Sequence, residues 1–193
     1  VRIEAKEGKI YYKASDLYRL IINEFDYNGK DFAVSIPLNT CKTIIKGFNG
    51  NVSAVIECNQ IQFKQDNITL ISRTIDLQFP EVTLEQFNTP NSFEVNRAEF
   101  VSALEEIVDI TKGNTQKHSF ILDDGRLLAV SDTIKKEYNI DFKGDSIRCS
   151  LNSKFMLDYL KGLNKEVIKV KFNNTDSAFR IENYIFMPCK LED

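Results

Sequence analysis

Two stretches far apart in the chain follow the same order of residues. SIPLNTCKTIIKGFNGNVSAVIE (35–57) and RCSLNSKFMLDYLKGLNKEVIKVK (148–171) each run from a strand through Leu-Asn-Ser/Thr into a short helix. Each closes the helix with Lys-Gly-apolar-Asn and continues into a Val-rich strand. QFKQDNITLIS (62–72) then parallels AFRIENYIFMP (178–188), about 115 residues further on. The unit is a strand, a helix and three strands, and the stretch 96–143, a helix followed by three strands, repeats it with different residues. Two such units make a domain in which helices cover one face of a continuous antiparallel sheet, so the expected fold class is α+β.

The local patterns agree with this. Ile10, Tyr12 and Ala14, then Leu20, Ile22 and Glu24, then Phe32, Val34 and Ile36 put every second residue on one face, as half-buried antiparallel strands do. From Asn39 to Phe48 the spacing turns helical through Cys41, Ile44, Ile45 and Phe48, and FNGN closes the run. VSAVIEC, QIQFKQ and NITLISR read as three short strands, with Asn67 in the last turn. Residues 74–92 hold no sustained period and contain Pro80 and Pro90, which predicts a linker without elements of its own.

After it, NRAEFVSALEEIVDI predicts a helix capped by Asn96, with Glu99 completing a capping box and Phe100, Leu104, Ile107 and Val108 forming one stripe. HSFILDD and RLLAVSD flank an Asp124-Gly125 turn, and EYNIDF alternates as a single strand through Tyr138, Ile140 and Phe142. SIRCSLN leads into the helix SKFMLDYLKGL, followed by strands in VIKVKF, AFRIEN and YIFMPCKL. The division expected from these patterns is 1–88, an incomplete domain plus linker, and 89–193, a complete domain.

Composition narrows the function. Of 193 residues 42% are hydrophobic and 27% charged, enough to bury a core. No apolar run approaches the ~20 residues of a membrane span and no signal region opens the chain, which predicts a cytoplasmic protein without a membrane partner. Cys41, Cys58, Cys149 and Cys189 show no C-x-x-C spacing, so buried or half-buried reduced thiols are expected and a metal site is not. His118 stands alone, and no nucleophile elbow, phosphate loop or zinc helix motif accompanies it. Glu105-Glu106 and Asp123-Asp124 read as solvated charge, so the expectation is a protein that is not an enzyme and needs no cofactor. The net charge of −3 argues against gripping nucleic acid over a wide surface, but a local basic face can coexist with an acidic exterior.

Four motifs in register carry a resemblance: SDLYRL (15–20), ISRTIDLQFPEV (71–82), LNSKFMLDYLKGL (151–163) and MPCKL (187–191). Together with the repeats they resemble the bacterial sliding clamp, the β subunit of DNA polymerase III, over most of its middle domain and all of its last. Leu17 stands where that family has glycine, Tyr18 where histidine is frequent, and Phe155 where tyrosine is usual. The resemblance implies a processivity factor that encircles double-stranded DNA without sequence preference and is homo-oligomeric at full length. Through a peptide-binding pocket such a factor tethers DNA polymerase, the clamp loader and repair proteins.

The implied pocket residues are Arg19, Leu20, Pro80, Asn152, Phe155, Met187, Pro188, Cys189 and Leu191. On this reading the apolar C-terminal stretch is held in place because it forms one wall of the pocket, and the flexible thioether of Met187 suits several partners. Lys42, Lys46, Arg97, Lys154 and Lys161, with Lys112 at the end of the longer helix, are the candidates for a DNA-facing surface of diffuse charge. The alternative is a clamp-derived adaptor that binds partner peptides without encircling DNA. The acidic residues of the longer helix and the absent first domain speak for it.

Overall fold

The computed structural model describes residues 1–190 apart from 77, 111–116, 124, 131–134 and 144–145. The chain divides into two compact units, Val1–Asp16 with Ile21–Val82, and Leu17–Leu20 with Thr83–Asp193.

In the first unit the alternating segments form β1 (Arg2–Lys6), β2 (Lys9–Ser15), β3 (Arg19–Asp26, whose first two residues belong to the second unit) and β4 (Phe32–Ser35), in the order β3-β2-β1-β4. A two-residue turn joins β1 to β2, and Glu7 (φ 54°) and Gly8 (φ 79°) both take the left-handed conformation that matches strand twist. α1 (Leu38–Gly47) starts directly after Pro37 and has no acidic residue in its first turn. The side chain of Thr40 is its buried anchor, with Oγ1 2.6 Å from Oγ of Ser72. β5 (Ser53–Glu57), β6 (Gln60–Gln65) and β7 (Ile68–Arg73) make a second sheet in that order. Val34, Ile36, Phe48, Ile61 and Phe63 form the core of this unit.

The second unit opens on a short 3-10 turn, η1 (Leu84–Phe87), and β8 (Asn91–Asn96). The expected featureless linker therefore contains one complete element and the start of another. Arg180 pins it by donating to the Leu84 carbonyl (2.6 Å) and to Oδ1 of Asn88 (3.0 Å). Pro90 sits just outside β8, where no ladder donor is needed. α2 (Arg97–Ile110) is capped as its sequence predicts, with the Glu99 amide donating to Oδ1 of Asn96 at 3.2 Å.

β9 (Lys117–Asp123), β10 (Arg126–Val130), β11 (Lys135–Asn139) and β13 (Ile147–Asn152) form a sheet in the order β11-β10-β9-β13. Gly125 has the positive φ (74°) that its turn requires, while Asp124 lies outside the described residues. EYNIDF is not one strand. It breaks at Ile140, whose amide donates to the Gly125 carbonyl, and its second half becomes β12 (Asp141–Lys143) in the other sheet, paired with β8. Alternation continues across the break because both halves are half-buried, so periodicity alone hides the change of sheet.

α3 (Ser153–Leu160), β14 (Val167–Phe172), β15 (Phe179–Ile181) and β16 (Tyr184–Phe186) complete the unit, with β12-β8-β14-β15-β16 adjacent in that order. A ladder of rings crosses these strands and ends on α3. Successive centroids lie 6.3 Å apart for Phe142 and Phe172, 5.2 Å for Phe172 and Phe179, 5.8 Å for Phe179 and Phe186, 5.5 Å for Phe186 and Tyr184, and 4.5 Å for Tyr184 and Tyr159.

The architecture is thus α+β, with antiparallel pairing of β1 with β2 and β4, through β5-β6-β7, through β11-β10-β9-β13, and from β12 through β8, β14 and β15 to β16. Among the described residues no helix is long and apolar enough to cross a membrane, and no group of His, Cys, Asp or Glu is arranged to hold a metal ion. Cys149 is buried and its thiol is pushed up to about 12 by that burial, whereas Cys58 is exposed, against expectation, in the turn between β5 and β6. The turn residue needs positive φ (37°) more than it needs cover.

Candidate partner-binding site

Three pieces of the second unit meet at the start of α3: the segment Leu17–Leu20, the first turns of α3, and the tail after β16. Main-chain hydrogen bonds fix the tail. The Met187 amide donates to the Tyr18 carbonyl at 2.8 Å and the Cys189 amide donates to the Ser150 carbonyl at 2.7 Å. Cys189 is half-buried and forms an isolated bridge with Ser150, so its backbone holds the chain to β13.

Asn152 is the N-cap of α3, its Oδ1 accepting from the Phe155 amide at 3.1 Å. The cap aims the half-buried Phe155 ring at Arg19, whose guanidinium carbon lies 4.2 Å from the ring centroid. The same guanidinium donates to Oδ2 of Asp158 at 3.3 Å, one helical turn beyond Phe155. Behind the helix, Tyr184 Oη donates to the Phe155 carbonyl at 3.1 Å and Tyr159 Oη donates to Oδ1 of Asn183 at 2.6 Å. Burial, with the Glu182 carboxylate adding to it, pushes the Tyr159 phenol up to about 12, so it remains a neutral donor. Beneath the first turn, Nδ1 of His118 lies 2.7 Å from Oγ of Ser153, both buried.

The rigid parts frame an apolar surface that faces solvent. Leu17 is 87% exposed, Tyr18 64% and Met187 42%. Leu17 also sits at φ 76°, a left-handed conformation that disfavours any residue carrying a Cβ. Exposed apolar side chains grouped in this way, on a backbone fixed by hydrogen bonds, mark a contact surface better than scattered ones do.

Of the residues singled out in the sequence, Arg19, Leu20, Asn152, Phe155, Met187, Pro188 and Cys189 all belong to this unit. Pro80 belongs to the other unit, where it is exposed and lines a polar hollow of about 130 Å³ with Arg2, Glu4, Lys13, Gln78, Phe79 and Glu81. Leu191 and Lys112 lie outside the described residues.

Lys42 and Lys46 are exposed on α1 and Lys154 is exposed on α3. Arg97 turns inward, donating from Nε to the Lys165 carbonyl (2.7 Å) and from a terminal nitrogen to the Leu160 carbonyl (3.3 Å), so it ties down the end of α3. Lys161 pairs with Glu105 of α2 at 2.8 Å. Sequence reasoning passed over Asp158 and Tyr184. Asp158 stands at i+3 from Phe155, a spacing that could have flagged it. Tyr184 is held to Phe155 only by the tertiary fold.

A repeated strand-helix-three-strand unit, antiparallel sheets and a tail locked beside a helix N-terminus together define a DNA-clamp architecture. Residues 88–185 match the family described as DNA polymerase III beta subunit, C-terminal domain, and the chain belongs to that family. Among curated proteins, the beta sliding clamps of Staphylococcus epidermidis and Staphylococcus aureus are 24% and 26% identical over 187 residues, each alignment covering 90% of this chain and 50% of the relative. This chain therefore spans about half the length of those relatives. The DNA polymerase III beta chain of Streptococcus pneumoniae superposes with a TM-score of 0.88 at 19% identity, over 98% of this chain and 56% of that one. That likeness establishes the fold.

Proposed function

We propose that this chain serves in a sliding clamp, a cytoplasmic processivity factor with no catalytic step of its own that surrounds duplex DNA as part of a homo-oligomer. On this reading residues 1–88 are part of a middle domain and 89–193 a last domain. Arg19, Leu20, Asn152, Phe155, Met187, Pro188 and Cys189 receive short apolar motifs from DNA polymerase, the clamp loader and repair proteins. The observation that carries the reading is the exposure of Leu17, Tyr18 and Met187 beside Phe155, on a backbone that capping and hydrogen bonds hold still. Preorganisation of this kind lowers the entropy lost when a short peptide docks. Lys42, Lys46 and Lys154 supply diffuse charge toward DNA without reading its bases.

The test is a fluorescence anisotropy titration with a five- or six-residue peptide carrying Gln and two Leu or Phe anchors. Micromolar binding is expected, about −8 kcal/mol. Phe155→Ala weakens it by ~1 to 2 kcal/mol, about tenfold, while Lys42→Ala leaves it unchanged. Circular dichroism of each variant separates lost binding from lost folding. Binding that survives Phe155→Ala in a folded protein overturns the assignment of the site.

A further inference from the structure

A left-handed backbone and a large exposed side chain coincide at one residue. Among the described residues, five that are not glycine have positive φ. Glu7, Cys58, Asp66 and Glu182 each open a two-residue turn between consecutive antiparallel strands, where hairpin twist favours that conformation, and each carries a polar or small side chain. The fifth is Leu17, at φ 76°, in the three-residue turn from β2 to β3. Its Cβ is crowded by the backbone there, and glycine would take the same conformation without strain. Leu17 is also 87% exposed, more than any other large hydrophobic residue among the described ones, so burial offsets little of that strain. Neither the turn nor the core accounts for this side chain.

Its position does. The next residue, Tyr18, accepts from the Met187 amide at 2.8 Å, and the one after it, Arg19, lies over the Phe155 ring at 4.2 Å. Leu17 is thus carried by a segment tied to both the tail and α3, which holds its exposed side chain at a fixed place beside the candidate site. Backbone strain persists where the surroundings enforce it, and it collects at ligand-binding positions. A side chain that destabilises the free protein and presents bare apolar area there is favourable only once a partner covers it.

We propose that Leu17 is a specificity-determining residue of the candidate partner site. It selects peptides that carry one further aliphatic residue just outside the anchor motif over peptides with a polar residue in that place. The occupant is a short segment of another protein, and contact with Leu17 ranks one such partner against another. The inference rests on the pocket reading above and adds a discrimination that the pocket alone does not supply.

Four labelled peptides test it, each with the Gln and two Leu or Phe anchors of the titration above and with Leu or Ser added on the N-terminal or the C-terminal side. Against the 193-residue protein, Leu is expected to bind about fivefold tighter than Ser on one of the two sides. Leu17→Ala keeps the Cβ and its strain but removes the apolar body, so it brings that pair to equal affinity without raising the melting temperature. Leu17→Gly also removes the preference and melts about 1 to 2 °C higher as the strain is relieved. The two readings fail separately. Binding of the Ser peptides that Phe155→Ala weakens, with no preference for Leu on either side or with a preference that survives Leu17→Ala, overturns this proposal alone. No binding of any peptide overturns the pocket as well. A Leu17→Gly protein that melts below the parent shows that the side chain stabilises the free protein, which likewise overturns the proposal.

Discussion

Ile45 and Leu160 hold the same place in two copies of one structural unit, and their surroundings are opposite. One points into solvent and the other is sealed by a neighbouring helix. The helices themselves are alike. Each has Leu-Asn-Ser/Thr at its start, carries there a buried hydroxyl (Thr40 or Ser153) that bonds a residue of a neighbouring strand, and closes at Lys-Gly. The turns after them agree as well, since Asp66 and Glu182 occupy matching positions with φ of 49° and 53°. Local sequence thus sets the helix, the turn and the register, while the stabilisation gained from the apolar face depends on what covers it.

The comparison breaks most sharply at the covered position itself. Leu160→Ala should cost about 2 to 5 kcal/mol of unfolding free energy, because α2 cannot fully collapse onto the space left behind. Ile45→Ala should stay within ~0.5 kcal/mol, since that side chain gives up little contact. Urea titrations of both variants decide the matter, and equal losses would mean that α1 is covered in solution. Next come the two buried hydroxyls. Ser153→Ala removes a partner of His118 in a sealed site and should cost about 1 to 3 kcal/mol. Thr40→Ala leaves Ser72, which is half-buried and can turn to water, so its cost should be smaller. A larger cost for Thr40→Ala would reverse the ranking of the two environments.

The smallest effect lies in the turns. Asp66→Gly should stabilise by about 0.5 kcal/mol as left-handed strain is relieved, partly offset by glycine's entropy. Glu182→Gly should gain less, because it also forfeits the ion pair with Lys165 at 2.8 Å. Thermal melts resolve the order of the two, and a larger gain for Glu182→Gly would mean that the ion pair contributes nothing.

Much of the fold was legible because its signals are local. The Asn96 cap, the helical spacing from Cys41 to Phe48, and the Leu-Asn-Ser start of α3 act within a few residues, and the repeat multiplied each of them. The sheet change at Ile140 was not legible, since a strand that leaves one sheet for another keeps its period. η1 did carry a local signal, the Thr83 and Gln86 capping box, which the prolines on either side obscured, while its other support, Arg180, lies almost a hundred residues away in sequence. At the candidate site, Asn152 and Phe155 were named by the resemblance alone, and the cap that Asn152 supplies to the Phe155 amide became visible only in the fold. The inward turn of Arg97 was not legible either, because a basic residue at a helix start looks the same whether it faces water or a neighbouring helix's carbonyls.

The ring ladder that ends on α3 has an optical consequence. The chain has no tryptophan and seven tyrosines. Its near-ultraviolet circular dichroism therefore comes chiefly from tyrosine and phenylalanine rings held in fixed, asymmetric contact, with Tyr184 and Tyr159 the most tightly stacked pair. Tyr184 is bonded to the carbonyl of Phe155, so a ligand that shifts the start of α3 alters that signal without any label. A tryptophan placed in the ligand would emit against a background free of tryptophan emission from the protein.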